Sequence, residues 1–364
     1  MRVVVDALAA RTGGGLTYLR SLLPAASAAD PELELTVIAA HGDVLPSTAR
    51  MTVLEVPTAA ALGRRLVWEQ TRLAAIARDL GADVIFAPSE IAPLRAGLPV
   101  VVGFQNPNLF VESQSAEPLR QRLRFRALLV AARASARRAD ALVFVSNGFR
   151  RVAEPRLPRT SAPRFTVTVG IDRRFTSVGG AGRFESLRPY VLCVADVYAY
   201  KALPVAVEAF ALLAARRPEL RLVLAGRRVE EPESARVDAR IRERGLADRV
   251  TRLDSVPYEE MPALYRGAAC FLFPSLVESL GLPPLEALAC GVPVVAASAS
   301  VLPDVLDDAA LFFPPGDAGA AAEAVERALT EEQDAAAVAS LLARHDPAVT
   351  GSALAEVFRT AARD

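Results

Sequence analysis

Two carboxylates, Glu278 and Glu286, lie eight positions apart in the segment from Phe273 to Pro293, on either side of a helix start. Ala269 to Phe273 is an apolar run of strand length, Pro283 and Pro284 suit a first helical turn, and Gly291 with Pro293 stops it. The loop at Leu280, Gly281 and Leu282 therefore ends in free backbone N–H groups. With the positive end of the helix dipole, these suit a diphosphate. Glu286, placed in the first turn, can accept hydrogen bonds from both hydroxyls of a ribose, which leaves Glu278 on the loop to face a sugar. The same two acids could instead cap the helix and pair with nearby arginines.

A second signal is a scarcity. Of 42 basic residues, Lys201 alone is lysine and the rest are arginine. A compact ammonium binds phosphate as a point charge where a guanidinium fork is too large, so Lys201 is a candidate for a site that arginine cannot fill. It follows the run Tyr190 to Val194 and opens a helix that includes Val207, Phe210 and Leu213. A surface lysine is the alternative. Gly13-Gly14-Gly15, between the first strand and a helical stretch, lets backbone approach a phosphate or sugar closely, or serves only as a flexible connection.

These segments resemble the retaining glycosyltransferases of family 4. The family signature is E, seven residues, E, with a glycine three after the first acid; here it reads Glu278, Gly281 and Glu286-Ala287-Leu288-Ala289-Cys290-Gly291. The resemblance runs through Val294-Val295-Ala296-Ala297-Ser298, Pro303-Asp304-Val305 and Pro314-Pro315-Gly316-Asp317, and backward through Met261-Pro262-Ala263-Leu264-Tyr265. It implies a GT-B fold, two Rossmann-like parallel-sheet domains facing a central cleft, with Lys201 as the phosphate-binding lysine and the nucleobase held by backbone near Val256. The implied reaction is retaining transfer from a nucleoside diphosphate sugar to a glycan, lipid-linked glycan or small-molecule hydroxyl. No cofactor and no metal is expected, since protein cations would stabilise the leaving diphosphate.

The departures matter as well. Many members carry a histidine where this chain offers Gln105-Asn106, amides that hydrogen-bond a donor but do not titrate. The family's Gly-Arg appears as Ala195-Asp196, so Arg227 or Arg228 is the candidate second phosphate cation. These losses keep open the alternative of a non-catalytic GT-B protein that binds a nucleotide sugar or a partner.

Short β-branched runs alternate with Ala/Leu/Arg-rich stretches throughout, the α/β pattern of parallel sheets covered by helices. The predicted strands fall near Val3, Leu35–Ile38, Val53–Val56, Val84–Phe86, Val100–Val102, Leu142–Val145 and Phe165–Val167. A second set falls near Val191–Val194, Leu222–Leu224, Val250–Leu253, Cys270–Phe273, Val294–Ala296 and Leu311–Phe313. The expected domains are 1–172 and 190–349, with 173–189, rich in Gly and Arg, as linker, and a terminal helix at about 350–364 that packs back on the first domain.

Net charge is zero, which gives no electrostatic support to nucleic-acid binding. Cys193, Cys270 and Cys290 lie in apolar stretches without metal-ligand spacing and read as thiols of a reducing cytoplasm. No apolar run approaches the about 20 residues of a membrane span, so the expected location is the cytoplasm. The arginine-rich stretch 119–138 reads equally as a helix lying on the inner, anionic face of a bilayer or as a solvated helix over a core stripe.

Overall fold

A computed structural model describes residues 1–10, 14–41, 45, 47–57, 62–111 and 119–363. The described chain forms two compact units, Met1–Gly170 with Arg344–Asp364, and Ile171–Ala343. In the first, β1 (Arg2–Asp6), β2 (Glu34–Ala39), β3 (Met51–Glu55), β4 (Val84–Ala87), β5 (Val100–Phe104), β6 (Ala141–Phe144) and β7 (Arg164–Thr166) form a parallel sheet in the order β3-β2-β1-β4-β5-β6-β7. In the second, β8 (Tyr190–Val194), β9 (Arg221–Ala225), β10 (Val250–Leu253), β11 (Ala268–Phe273), β12 (Val294–Ala297) and β13 (Leu311–Phe313) pair in parallel as β10-β9-β8-β11-β12-β13. Each run predicted as a strand is one. The central strands β4, β5, β6 and β12 are buried along their whole length, which is why they read as unbroken apolar runs rather than alternating ones.

Helix Leu203–Ala214 covers one face of the second sheet. Leu203, Val207, Phe210 and Leu213 lie on its buried side, with Val325 of helix Ala318–Thr330 in the same core as Val191, Leu222, Leu272 and Val295. Burial of each such side chain contributes about 1.5–3 kcal/mol.

Residues 173–189 are built into the second unit rather than bridging two units. Asp172 caps the short helix Arg173–Thr176, whose Phe175 is buried with its ring centroid 5.7 Å from Tyr258 and 5.9 Å from Tyr265. The Arg266 guanidinium donates to the carbonyls of Arg174 and Ser177. A Gly- and Arg-rich composition hid one well-placed aromatic anchor.

The terminal helix starts earlier than expected. It spans Pro347–Arg363, because the Asp346 side chain accepts the Ala348 N–H at 2.7 Å and Pro347 supplies a first residue that needs no N–H partner. Leu354, Val357, Phe358 and Ala361 are buried, and Arg359 pairs with Asp30 at 2.8 Å. A Cβ on Gly351 would lie 2.3 Å from the carbonyl carbon and oxygen of Ala25, in helix Gly14–Ala29, so only glycine lets the two helices approach this closely. Gly351→Ala is expected to destabilise the protein by about 1–3 kcal/mol through this clash. Gly63→Ala, in helix Leu62–Trp68 with no heavy atom within 4 Å, should be neutral or raise stability. Thermal denaturation of the pair checks both signs.

Candidate functional site

The second sheet reverses its build direction between β8 and β11: β9 and β10 extend it on one side, β12 and β13 on the other. At such a switch point the loops after adjacent strands part, and a crevice opens at the carboxyl ends. The loop after β8 carries Lys201 and the loop after β11 carries Glu278. Their side chains meet, Nζ to Oε1, at 2.5 Å.

Lys201 does not open a long helix directly. It ends the 3-10 turn Ala199–Lys201, and Ala202, at φ 50°, breaks the chain before helix Leu203–Ala214 begins. The turn is fixed from the opposite loop, where Leu276 N–H donates to the Tyr200 carbonyl at 2.8 Å. The Lys201 ammonium lies 5.2 Å from the Tyr200 ring centroid and 5.5 Å from that of Phe273, favourable cation–π placements. Side-chain exposures of 16% and 12% leave Lys201 and Glu278 reachable but mostly desolvated. Glu278 is anchored through its backbone: its N–H donates to the Ser300 hydroxyl at 3.2 Å, and that hydroxyl donates to its carbonyl at 2.8 Å.

Gly281, at φ 87°, caps helix Leu282–Ala289 in a conformation that a side chain would strain. Pro283 and Pro284 occupy the next-to-first helical positions and have no N–H. The donors of this helix start are therefore those that precede the prolines, and among the described residues the N–H groups of Leu280, Gly281 and Leu282 have no hydrogen-bond partner. At the other end, Gly291 N–H bonds the Leu288 carbonyl and Val292 N–H that of Ala287, the Schellman arrangement that the Gly291 signal implied.

Glu286 sits in the second turn, not the first, because Leu282 is the first helical residue. It is buried, and the Tyr265 hydroxyl donates to its Oε2 at 2.9 Å. Burial pushes its carboxyl up to about 7, opposed by the Tyr265 hydrogen bond and assisted by the nearby Asp172 charge. Tyr265, a residue that sequence reading placed only in a resemblance, is thus the partner that orients this acid. Its own hydroxyl is raised well above the ordinary range by burial and by Glu286.

Arg227 and Arg228 follow β9. Arg227 is clasped by Asp196, which accepts both its backbone N–H at 2.9 Å and its guanidinium. Arg228 is committed to Asp254 and Asp238. Val256, in the loop after β10, is half-buried.

The remaining predicted residues belong to the first unit. Gly14, exposed, begins helix Gly14–Ala29 with nothing within 4 Å of a built Cβ, while Gly15 would meet the Gln105 side-chain amide at 3.9 Å; Gly13 lies outside the described residues. Gln105 donates to the Pro88 carbonyl at 3.0 Å and Asn106 caps the turn Pro107–Leu109. Both backbone N–H groups are accepted by one oxygen of Glu90 at 2.8 Å.

Sequence reading missed what surrounds these amides. Asp6 ends β1 and Glu90 follows β4, the strands where the first sheet reverses direction. Glu69 is buried beside Arg65, 3.1 Å between Nε and Oε1. Burial raises the carboxyls of Asp6, Glu69 and Glu90 to about 6, 8 and 7 respectively. The available signal was an acid closing an apolar run, as Asp6 closes Val3-Val4-Val5. Among the described residues no group of three or more His, Cys, Asp or Glu is placed to hold a metal ion.

Residues 181–340 match the family model described as glycosyl transferases group 1. The O-antigen chain mannosyltransferase B of Escherichia coli is 42% identical over 91 residues, 25% of this chain and 24% of that protein. The mannosylfructose-phosphate synthase of Agrobacterium fabrum is 33% identical over 135 residues, 34% of this chain and 30% of that protein. The matched segments thus span about a quarter to a third of these relatives. Among solved structures, HepE of Anabaena in complex with UDP-glucose aligns with a TM-score of 0.76 at 18% identity over 98% of both chains. Sucrose-phosphate synthase of Thermosynechococcus elongatus aligns at 0.75 and 18%, covering 99% of this chain and 94% of that one. The fold is two Rossmann-like parallel-sheet domains of the GT-B type.

The protonation of Glu286 has a measurable consequence. A buried acid favoured in its neutral form contributes stability that is full below about pH 4.5 and is lost as pH rises through about 7. Glu286→Gln, neutral at every pH and still an acceptor for Tyr265, should lose roughly 3 kcal/mol less than the wild type across that interval. Parallel melting curves from pH 4.5 to 8 check it; identical slopes would mean the carboxylate is ionised throughout.

Proposed function

We propose that this chain, which matches glycosyl transferases group 1 over residues 181–340, is a retaining glycosyltransferase that uses a nucleoside diphosphate sugar and no metal. The observation that carries the reading is the Lys201–Glu278 pair at the β8/β11 switch point, beside unpartnered N–H groups at Leu280–Leu282 and eight residues before the buried Glu286. Lys201, Arg227 and those N–H groups are the donors for the diphosphate. Glu286 takes the ribose hydroxyls, Glu278 the sugar, and the loop at Val256 the base.

In this reaction the bond from the anomeric carbon to the diphosphate oxygen breaks, and the acceptor hydroxyl oxygen bonds that carbon from the same face. The acceptor's proton goes to the departing phosphate oxygen. Charge therefore grows on the leaving group, where preorganised cations and N–H groups lower the barrier. The buried acids around Glu69 and Glu90 of the first unit suit a hydroxyl-rich acceptor, be it a glycan, lipid-linked or small molecule. The names of the relatives make mannosyl and glucosyl donors the first to test.

Lys201→Arg should lose at least about tenfold in turnover, roughly 1.4 kcal/mol of transition-state stabilisation, and Lys201→Ala more, with activity retained in excess EDTA. Steady-state kinetics of nucleotide release decide this. Wild-type turnover in the arginine variant contradicts the role of Lys201, loss in EDTA restored by magnesium contradicts metal independence, and nucleotide binding without release under any donor favours the non-catalytic alternative.

A cytoplasmic protein acting at the inner face of a membrane fits helix Leu119–Arg138. It contains no acid, and exposes Leu123 and Val130 among Arg120, Arg124, Arg126, Arg133 and Arg137. Among the described residues no helix is long and apolar enough to cross a membrane. Flotation with vesicles containing anionic lipid should carry the protein at low salt and release it at high salt. Equal flotation with neutral vesicles, or none with anionic ones, would contradict surface binding.

A further inference from the structure

Both cations assigned to the diphosphate are already held by carboxylates: Lys201 by Glu278, and Arg227 by Asp196. The second pair is built with care. The loop after β8 and the loop after β9 are zipped by hydrogen bonds from Ala195 N–H to the Ala225 carbonyl at 2.9 Å, Val197 N–H to the Arg227 carbonyl at 2.9 Å and Glu230 N–H to the Val197 carbonyl at 3.0 Å. Ala199 N–H adds a bond to the Glu230 carboxylate at 2.9 Å. Gly226, at φ 147°, allows this approach: a Cβ there would lie 2.0 Å from the Ala195 carbonyl oxygen.

Asp196 is therefore fixed, and it grips Arg227 twice, through the backbone N–H at 2.9 Å and through the guanidinium, with Nε 3.2 Å from each oxygen. The guanidinium half of the grip is the loose half. Arg227 is 45% exposed and Asp196 25%, and an ion pair so open to water is readily exchanged. A phosphate offers the guanidinium the same bidentate geometry with more charge. Tyr198 lies within electrostatic reach of both Asp196 and Arg227 and stacks on Tyr200 at 5.3 Å, the ring that Lys201 covers. The stacked rings of Tyr198 and Tyr200 thus lie along the loop between Asp196 and the turn that presents Lys201.

We propose that Asp196 is a positioning residue that holds Arg227 beside the diphosphate site and competes with phosphate for its guanidinium, so that it weakens nucleoside diphosphate binding and eases release of the product. This rests on the diphosphate reading above. When the donor binds, the guanidinium turns from carboxylate to phosphate while Asp196 keeps the Arg227 N–H and, with it, the loop. After transfer the carboxylate reclaims the guanidinium as the nucleotide leaves.

The test is calorimetric titration of UDP, GDP, ADP, CDP and dTDP, with the corresponding nucleosides, against the wild type, Asp196→Asn, Arg227→Gln and the double variant. Asparagine keeps an oxygen for the Arg227 N–H but removes the competing charge. Asp196→Asn should bind the preferred diphosphate about tenfold more tightly with nucleoside affinity unchanged, a split that a purely structural role would not produce. Under turnover it should show stronger product inhibition by the same diphosphate. The double variant should lose the gain. Equal or weaker diphosphate binding by Asp196→Asn, or a gain that survives in the double variant, overturns the inference while leaving the function reading intact. If melting shows that Asp196→Asn does not fold, Arg227→Gln decides alone: weaker diphosphate binding with unchanged nucleoside binding supports the proposal, and unchanged diphosphate binding overturns it. Failure of the wild type to bind any of the five diphosphates overturns the function reading and this inference with it.

Discussion

Lys201 and Glu278 come from loops 77 residues apart in sequence, yet lie 2.5 Å apart with little exposure to water. Two charges taken this far from solvent must compensate each other, and loss of one partner leaves the other costly to hold. Their meeting depends on strand order. Because β8 and β11 are neighbours while their successors build outward in opposite directions, the two loops flank one crevice, and the surrounding contacts keep them there: Leu276 on the Tyr200 carbonyl, Ser300 on the Glu278 backbone, and the rings of Tyr200 and Phe273 against the ammonium.

The second acid is handled differently. Glu286 is buried in the second turn of its helix, and its partner is the Tyr265 hydroxyl rather than a cation. The two carboxylates thus have unlike environments: one paired with an ammonium and slightly exposed, the other buried beside a hydroxyl with its carboxyl pushed up to about 7. Acids of the same type that serve different ends of one substrate are expected to diverge in this way.

Much of this was legible in the residues. The strands were readable because parallel sheets bury both faces and leave unbroken apolar runs, and the helix after Gly281 because proline and glycine mark its ends without reference to anything distant. Lys201 stood out by its isolation among arginines, and the structure sets it against Glu278. Three things were not. The segment 173–189 looked like a linker because its anchoring depends on Phe175 finding Tyr258 and Tyr265, about 80 to 90 positions away. Glu286 looked like a first-turn acid because helix starts are indistinct by a residue or two, and Tyr265 as its partner is a tertiary fact. The clasp of Arg227 by Asp196 and the buried acids near Glu69 arise from loops brought together by sheet order, which no local pattern announces.

If the proposed function is right, the ammonium of Lys201 meets the nucleotide's diphosphate. Since Lys201 is the only lysine in the chain, protein labelled with 15N at lysine Nζ gives a single lysine resonance. Titration with the nucleoside diphosphate that binds should shift that resonance in step with saturation, and the matching nucleoside should leave it in place. Saturable binding of the diphosphate with the lysine resonance unmoved would contradict the account.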